Sequence, residues 1–185
     1  MIPDFDHNNV LPPFLIDPIA RANQSPYLCS TIDLAQKFGT SQERVTILKN
    51  FLNFRMQLRR YGMSDNAFQW IDGSFVERVE ILRGRPPGDI DVITFFFGYD
   101  VNFQQNLMHV FPEFADPGLS KANFSVDHYI VPIDRTPMQT FKDVKYWSML
   151  FTHTKNTSTW KGILEIPLNT EQDDNNAMLL LQNLP

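Results

Sequence analysis

The sequence predicts an α/β or α+β domain, and three observations carry that expectation. Apolar residues recur at helical spacing in Val45, Leu48, Leu52 and Met56. Two segments rich in valine and isoleucine, Asp89 to Phe97 and Phe124 to Ile133, read as strands. Helical patterns reappear between and after them, at Val101 to Phe111 and Thr140 to Phe151, so strands and helices alternate along the chain.

The elements follow in order. Residues 1–27 hold Pro3, Pro12, Pro13, Pro18 and Pro26, which oppose helix and sheet alike. They are expected to form an extended arm anchored by Val10, Leu11, Phe14 and Ile16. Ser30 or Thr31 is placed to cap a short helix through Phe38 that Gly39 ends. Thr40 or Ser41 is placed to cap a longer helix, closed by Gly62. Phe68 to Asp72 reads as a short strand, whereas Phe75 to Leu82 fits helix and strand equally. Arg83 to Gly88 is a loop by its glycines and prolines. The unbroken apolar character of Val92 to Phe97 suits a central strand covered on both faces. Phe103, Leu107 and Val110 form one helical stripe, and Phe141, Val144, Trp147 and Phe151 another. Pro112 to Lys121 reads as loop, and Trp160 to Pro167 as a closing strand. The tail is polar at Asn169 to Asn176 and apolar at Met178 to Leu181, which suits a short packed helix or a mobile end. Three parts result: arm and helices at 1–63, a core at 64–168 and a tail at 169–185.

Composition narrows the function classes. An apolar fraction of 43% with 16 phenylalanines supports a genuine core rather than disorder. A net charge of −5 argues against an extended nucleic-acid groove. Local basic patches are conceivable at Arg55, Arg59 and Arg60, or at Arg78, Arg83 and Arg85. The single cysteine, Cys29, excludes an internal disulfide and reads as a small buried apolar residue. No apolar stretch approaches the roughly 20 residues that span a bilayer. The N-terminus lacks a basic region followed by an apolar run, so a cytoplasmic location is expected.

The densest chemical signal lies between residues 71 and 94. Gly73-Ser74 ends one strand, and after 14 intervening residues Asp89-Ile90-Asp91 opens the next. Residues i and i+2 of a strand share a face, so the two carboxylates project together. Like charges so placed repel unless a cation sits between them, and a hard divalent ion prefers oxygen ligands. This pattern resembles the signature of the DNA polymerase β-like nucleotidyltransferase superfamily, over about a third of the chain from Phe68 to Ile133. Val10-Leu11-Pro12-Pro13-Phe14 and Trp160-Lys161-Gly162-Ile163 also look like a minimal, uncharacterised bacterial and phage-associated branch of it. The gap between the two motif halves is at or slightly beyond what is usual there.

The resemblance implies a mixed sheet flanked by helices, with Gly73 and Ser74 holding nucleotide phosphates. It implies that Asp89, Asp91 and a third carboxylate on a later strand hold Mg2+ or Mn2+ and act in catalysis. Asp127, within a strand pattern, is the third carboxylate of choice, with Asp134 as competitor near that strand's end. Glycine permits close backbone approach, and successive N–H groups in a turn form an anion-binding nest. Lys161 is a candidate nucleotide-binding residue, and Arg83 and Arg85 could neutralise phosphate charge. Asp72 and Glu77, beside the turn, read as solvated or capping carboxylates, although Glu77 could assist the metal. His7, His109, His128 and His153 show no metal-ligand spacing, and regular alternation turns His128 away from Asp127. Tyr146, Trp147 and Trp160 could stack a base or belong to the core.

The functional expectation is a metal-dependent nucleotidyltransferase moving NMP from an NTP to a hydroxyl on a protein, an RNA or tRNA end, or a small molecule. A toxin–antitoxin or phage-defence setting is an analogy only. An inactive module of the same fold that acts with a protein partner is the alternative. A glycosyltransferase using Asp-x-Asp ranks below both, because few residues precede the motif.

Overall fold

The computed structural model describes residues 1–155 and 157–183. A five-stranded mixed sheet forms the centre, in the order β1-β5-β2-β3-β4. Its strands are β1 (Tyr27–Leu28), β2 (Ala67–Asp72), β3 (Ile90–Phe96), β4 (Val126–Pro132) and β5 (Leu164–Pro167). β2 runs antiparallel to both β3 and β5, while β4 runs parallel to β3 and β1 parallel to β5. The helices are α1 (Thr31–Phe38), α2 (Gln42–Arg60), α3 (Val79–Arg83), α4 (Val101–Val110), α5 (Pro117–Phe124), α6 (Pro137–Phe151) and α7 (Glu171–Gln182). The α/β (α+β) expectation is therefore met.

Local sequence explains the helix ends. Ser30 and Asp33 form a reciprocal capping box on α1, and the Ser41 hydroxyl accepts from Arg44 N on α2. The expected loop at Pro112 to Lys121 is instead a 3-10 turn, Pro112–Phe114, followed by α5. Asp116 accepts from the Gly118 and Leu119 amides and Pro117 takes the first helical position, so this stretch carries a start signal that its prolines and glycine obscure. The undecided stretch after Gly73 becomes a 3-10 turn, Ser74–Val76, and then α3. The tail is helical as α7, and residues 184 and 185 of it lie outside the described residues.

The two sheet faces differ. Ile71, Val92, Phe96 and Val126 join the larger core with residues of α1, α2, α4 and α7. Fully burying a leucine or phenylalanine contributes about 1.5–3 kcal/mol, so this face supplies much of the apolar stabilisation. The other face carries Trp70, Ile93, Phe95 and Val131, covered by Val144, Trp147 and Phe151 of α6. Phe141, assigned to the α6 stripe from spacing, points outward, and so does Met56 of α2. In the arm Val10 and Leu11 are buried as expected, whereas Ile16 is fully exposed and Ile2 takes a core position.

Arg55 is the largest departure from a surface reading. It is completely buried, donating to Asp174 Oδ2 at 2.8 Å and to Gln69 Oε1 at 2.7 Å. Arg59 also reaches Asp174 Oδ2, at 2.6 Å, so these arginines clamp α7 to α2 and form no basic patch. From Gln69 the chain of donors continues through Thr94 Oγ1 (3.0 Å) to His128 Nε2 (2.7 Å). The other His128 nitrogen, Nδ1, lies 2.9 Å from the Phe114 carbonyl, which can only accept, so Nδ1 carries the proton. Burial pushes the His128 pKa down to about 3, consistent with a neutral ring.

Candidate functional site

Strand register brings the acidic residues together. Asp72 of β2 pairs with Asp91 of β3, and Asp91 pairs in turn with Asp127 of β4. All three sit on the α6 face of the sheet by strand alternation. The Ile90 amide donates to the Ser125 carbonyl at 3.1 Å, which brings the end of the Pro87-Gly88-Asp89 segment to the start of β4. Asp89 thus joins Asp91 and Asp127 in one cleft of about 780 Å3. That volume lies in the ordinary range for small-molecule sites.

Gly73 follows β2 directly, with φ of +82°. A Cβ at this position would overlap the Asp91 carboxylate. The residue must therefore be glycine for backbone conformation and for space, and the turn lies directly against Asp91. Ser74 begins the 3-10 turn and lines the same cleft.

Lys161 stands behind this turn. It is buried, 3.0 Å from Asp72 Oδ1 and 2.8 Å from Glu77 Oε1, and it donates to the Gly73 carbonyl at 3.3 Å. The ammonium of Lys161, the candidate nucleotide-binding residue, is thus engaged by the wall of the cleft that it lines. Asp72 and Glu77, read as solvated from sequence, are buried for the same reason. Burial opposes the Lys161 charge, but the two carboxylates outweigh it and hold its pKa above the usual lysine range. Burial pushes Asp72 up to about 6, against the pull of Lys161. Arg83 reaches Glu77 Oε2 at 3.4 Å from the other side, and both Arg83 and Arg85 line the cleft.

The residue that spacing did not single out is Lys121 of α5. Its ammonium is ion-paired to Asp89 and lies 3.5 Å from Asp127 Oδ2. Those contacts, with the Asp89 bond foremost, raise its pKa. Asp91 forms no ion pair among the described residues. Burial, then the charges of Asp72, Asp89 and Asp127, push Asp91 up to about 7.

Asp134 is not at this site. Its carboxylate accepts from the Gly98 amide at 2.7 Å at the far end of β4. The base-stacking candidates also lie elsewhere. Trp147 packs on Tyr129 with centroids 4.7 Å apart, Trp160 meets Phe14 at 5.9 Å, and Tyr146 projects from α6. Tyr129, Phe151 and His153 line the cleft. Cys29 is buried and remote, its thiol pushed up to about 12 by burial, as a structural cysteine should be.

The donor set fits a hard divalent cation in chemistry: three carboxylates gathered at the ends of two adjacent strands, with Asp91, the most enclosed of them, pushed up by burial and by its acidic neighbours. As placed, among the described residues no three Asp, Glu, His or Cys side chains form a group that could hold a metal ion. Lys121 meets two of the carboxylates instead.

A mixed α/β domain with an acidic cleft beside a glycine turn is the class that fold and site define. The chain belongs to a family of unknown function, DUF6932, whose model matches residues 3–167 and so takes in the arm, the sheet and every cleft residue. No curated protein and no solved structure gives a significant match. Among the described residues no helix is long and apolar enough to cross a membrane.

Proposed function

We propose that the protein is a nucleotidyltransferase that moves NMP from an NTP to a hydroxyl acceptor. The supporting observation is that Asp89, Asp91 and Asp127 meet beside the Gly73-Ser74 turn in one cleft. The resemblance of this motif to the polymerase β-like superfamily supports the same reading. Transfer of this kind needs positioning and charge stabilisation more than covalent help.

In this reading Asp89, Asp91 and Asp127 would hold Mg2+ or Mn2+, which when bound supplies charge neutralisation and lowers the pKa of the acceptor hydroxyl. The Gly73-Ser74 backbone and hydroxyl receive the phosphates, and Arg83 and Arg85 offset their charge from the rim. Lys161 acts as a positioning residue by bonding the Gly73 carbonyl and fixing the turn against Asp91. The acceptor is a protein, an RNA or tRNA end, or a small molecule, in line with the acidic net charge.

The test is incubation of the pure protein with labelled NTPs, Mg2+ or Mn2+ and a host lysate. The expected outcome is a labelled acceptor with release of pyrophosphate, abolished in Asp91→Asn. Equal labelling by that variant contradicts the reading, and release of a nucleoside diphosphate points to glycosyl transfer. One observation favours a second reading, a non-catalytic binding module: the Lys121 ammonium already pairs with two of the three carboxylates. Absence of NTP binding in calorimetry with Mg2+ would favour that module.

A further inference from the structure

Two lysines serve the acidic side chains of this cleft, and they are held very differently. The Lys161 side chain is 3% exposed and enclosed by Asp72, Glu77 and the Gly73 carbonyl. The Lys121 side chain is 54% exposed, and its described polar contacts are the two carboxylates. The helix beneath it is well anchored: Asp116 caps α5, and Ser120, the residue before Lys121, is fully buried. Lys121 can therefore move its four-carbon stem without moving its backbone. Its ammonium satisfies Asp89 and Asp127 but leaves Asp91, beside them, without an ion pair among the described residues. A single ammonium thus serves two of three converging carboxylates. A divalent ion could serve all three.

We infer that Lys121 is an exchangeable counter-ion: its ammonium holds Asp89 and Asp127 until a divalent cation displaces it, and it then turns outward into the cleft. This inference deepens the proposed function and rests on that reading for the location of the cation. It makes Lys121 a competitor for the cation, so the protein binds its metal more weakly than its carboxylates alone would. The competing ammonium is half exposed although its carboxylates are largely covered, and ion pairs open to water on one side are modest in strength.

Calorimetric titration of Mn2+ into the full chain, without nucleotide, tests this in the wild type, Lys121→Met and Lys121→Gln. Both variants should bind Mn2+ about fivefold more tightly than the wild type, the ratio that ~1 kcal/mol of lost competition gives. Asp127→Asn should bind more weakly. Equal affinity in wild type and both Lys121 variants overturns the inference, as does the lack of any Mn2+ binding in all three. Thermal melts of each variant without Mn2+ establish that the fold is intact. Tighter Mn2+ binding with no NTP labelling would retain the exchange and remove the transferase. Labelling with unchanged affinity would do the reverse.

Discussion

The two lysine clusters of the cleft have the same composition, one ammonium between two carboxylates, and opposite physical roles. Behind the Gly73 turn, Lys161 with Asp72 and Glu77 is sealed from water. At the mouth, Lys121 with Asp89 and Asp127 is open to it. Coulomb attraction is strong where water is excluded, and so is the cost of leaving a charge unpaired there. The inner cluster is consequently architecture, and the outer one can be remade at little cost.

Breaking the inner cluster gives the largest expected effect. Lys161→Met strands Asp72 and leaves Glu77 with Arg83 alone, and should cost about 3–5 kcal/mol in urea unfolding. A loss no greater than that of Lys121→Met would erase the distinction between the clusters. The pH dependence of Asp91 sharpens it further. Asp91 titrates near 7 in the fold, against an ordinary carboxylate range near 4 in the unfolded chain. Between those values the native state retains a proton that the unfolded state releases. The Asp91 contribution to stability is therefore full below about pH 4, declines as pH rises towards about 7, and is level above it. Asp72 adds a decline of the same sign up to about 6 in both proteins. Thermal melts in EDTA should show Asp91→Asn gaining on the wild type between pH 4 and pH 8. A constant difference across that range would mean that Asp91 is already ionised at low pH. Lys121→Met should give the smallest change, within about 1 kcal/mol in the same urea experiment, because an ion pair whose ammonium is half exposed contributes little.

The strand frame was legible because β3 is largely an apolar run and β4 is rich in valine and isoleucine and alternates in part, which fixes which residues share a face. Asp89, Asp91 and the turn were legible for a related reason: they lie in or next to strands, where spacing translates directly into direction. Asp127 against Asp91 follows once the strands pair in parallel, but the register itself, Asp91 to Asp127, is a tertiary fact. Lys121 was not legible. It sits on a helix hidden behind Pro112, Asp116-Pro117 and Gly118, which read as a loop, and one lysine on a short helix carries no periodic signal. Arg55 misled for another reason. An arginine at helical spacing looks like a solvated side chain until the partner that buries it, Asp174, folds back from 119 residues away.

The first dozen residues are wired into the site. Val10 bridges Glu77, the Leu11 carbonyl accepts from the Gly162 amide at 2.7 Å, and Gly162 has no room for a side chain against Pro12. Glu77 and Lys161 are the neighbours of those bonds, and Lys161, held by Glu77, donates to the Gly73 carbonyl. The segment that looks most dispensable in the chain is thus a brace for the bend at the heart of the cleft. Trimming it to obtain a tidier domain would slacken the pocket from behind while leaving every acidic side chain in the sequence.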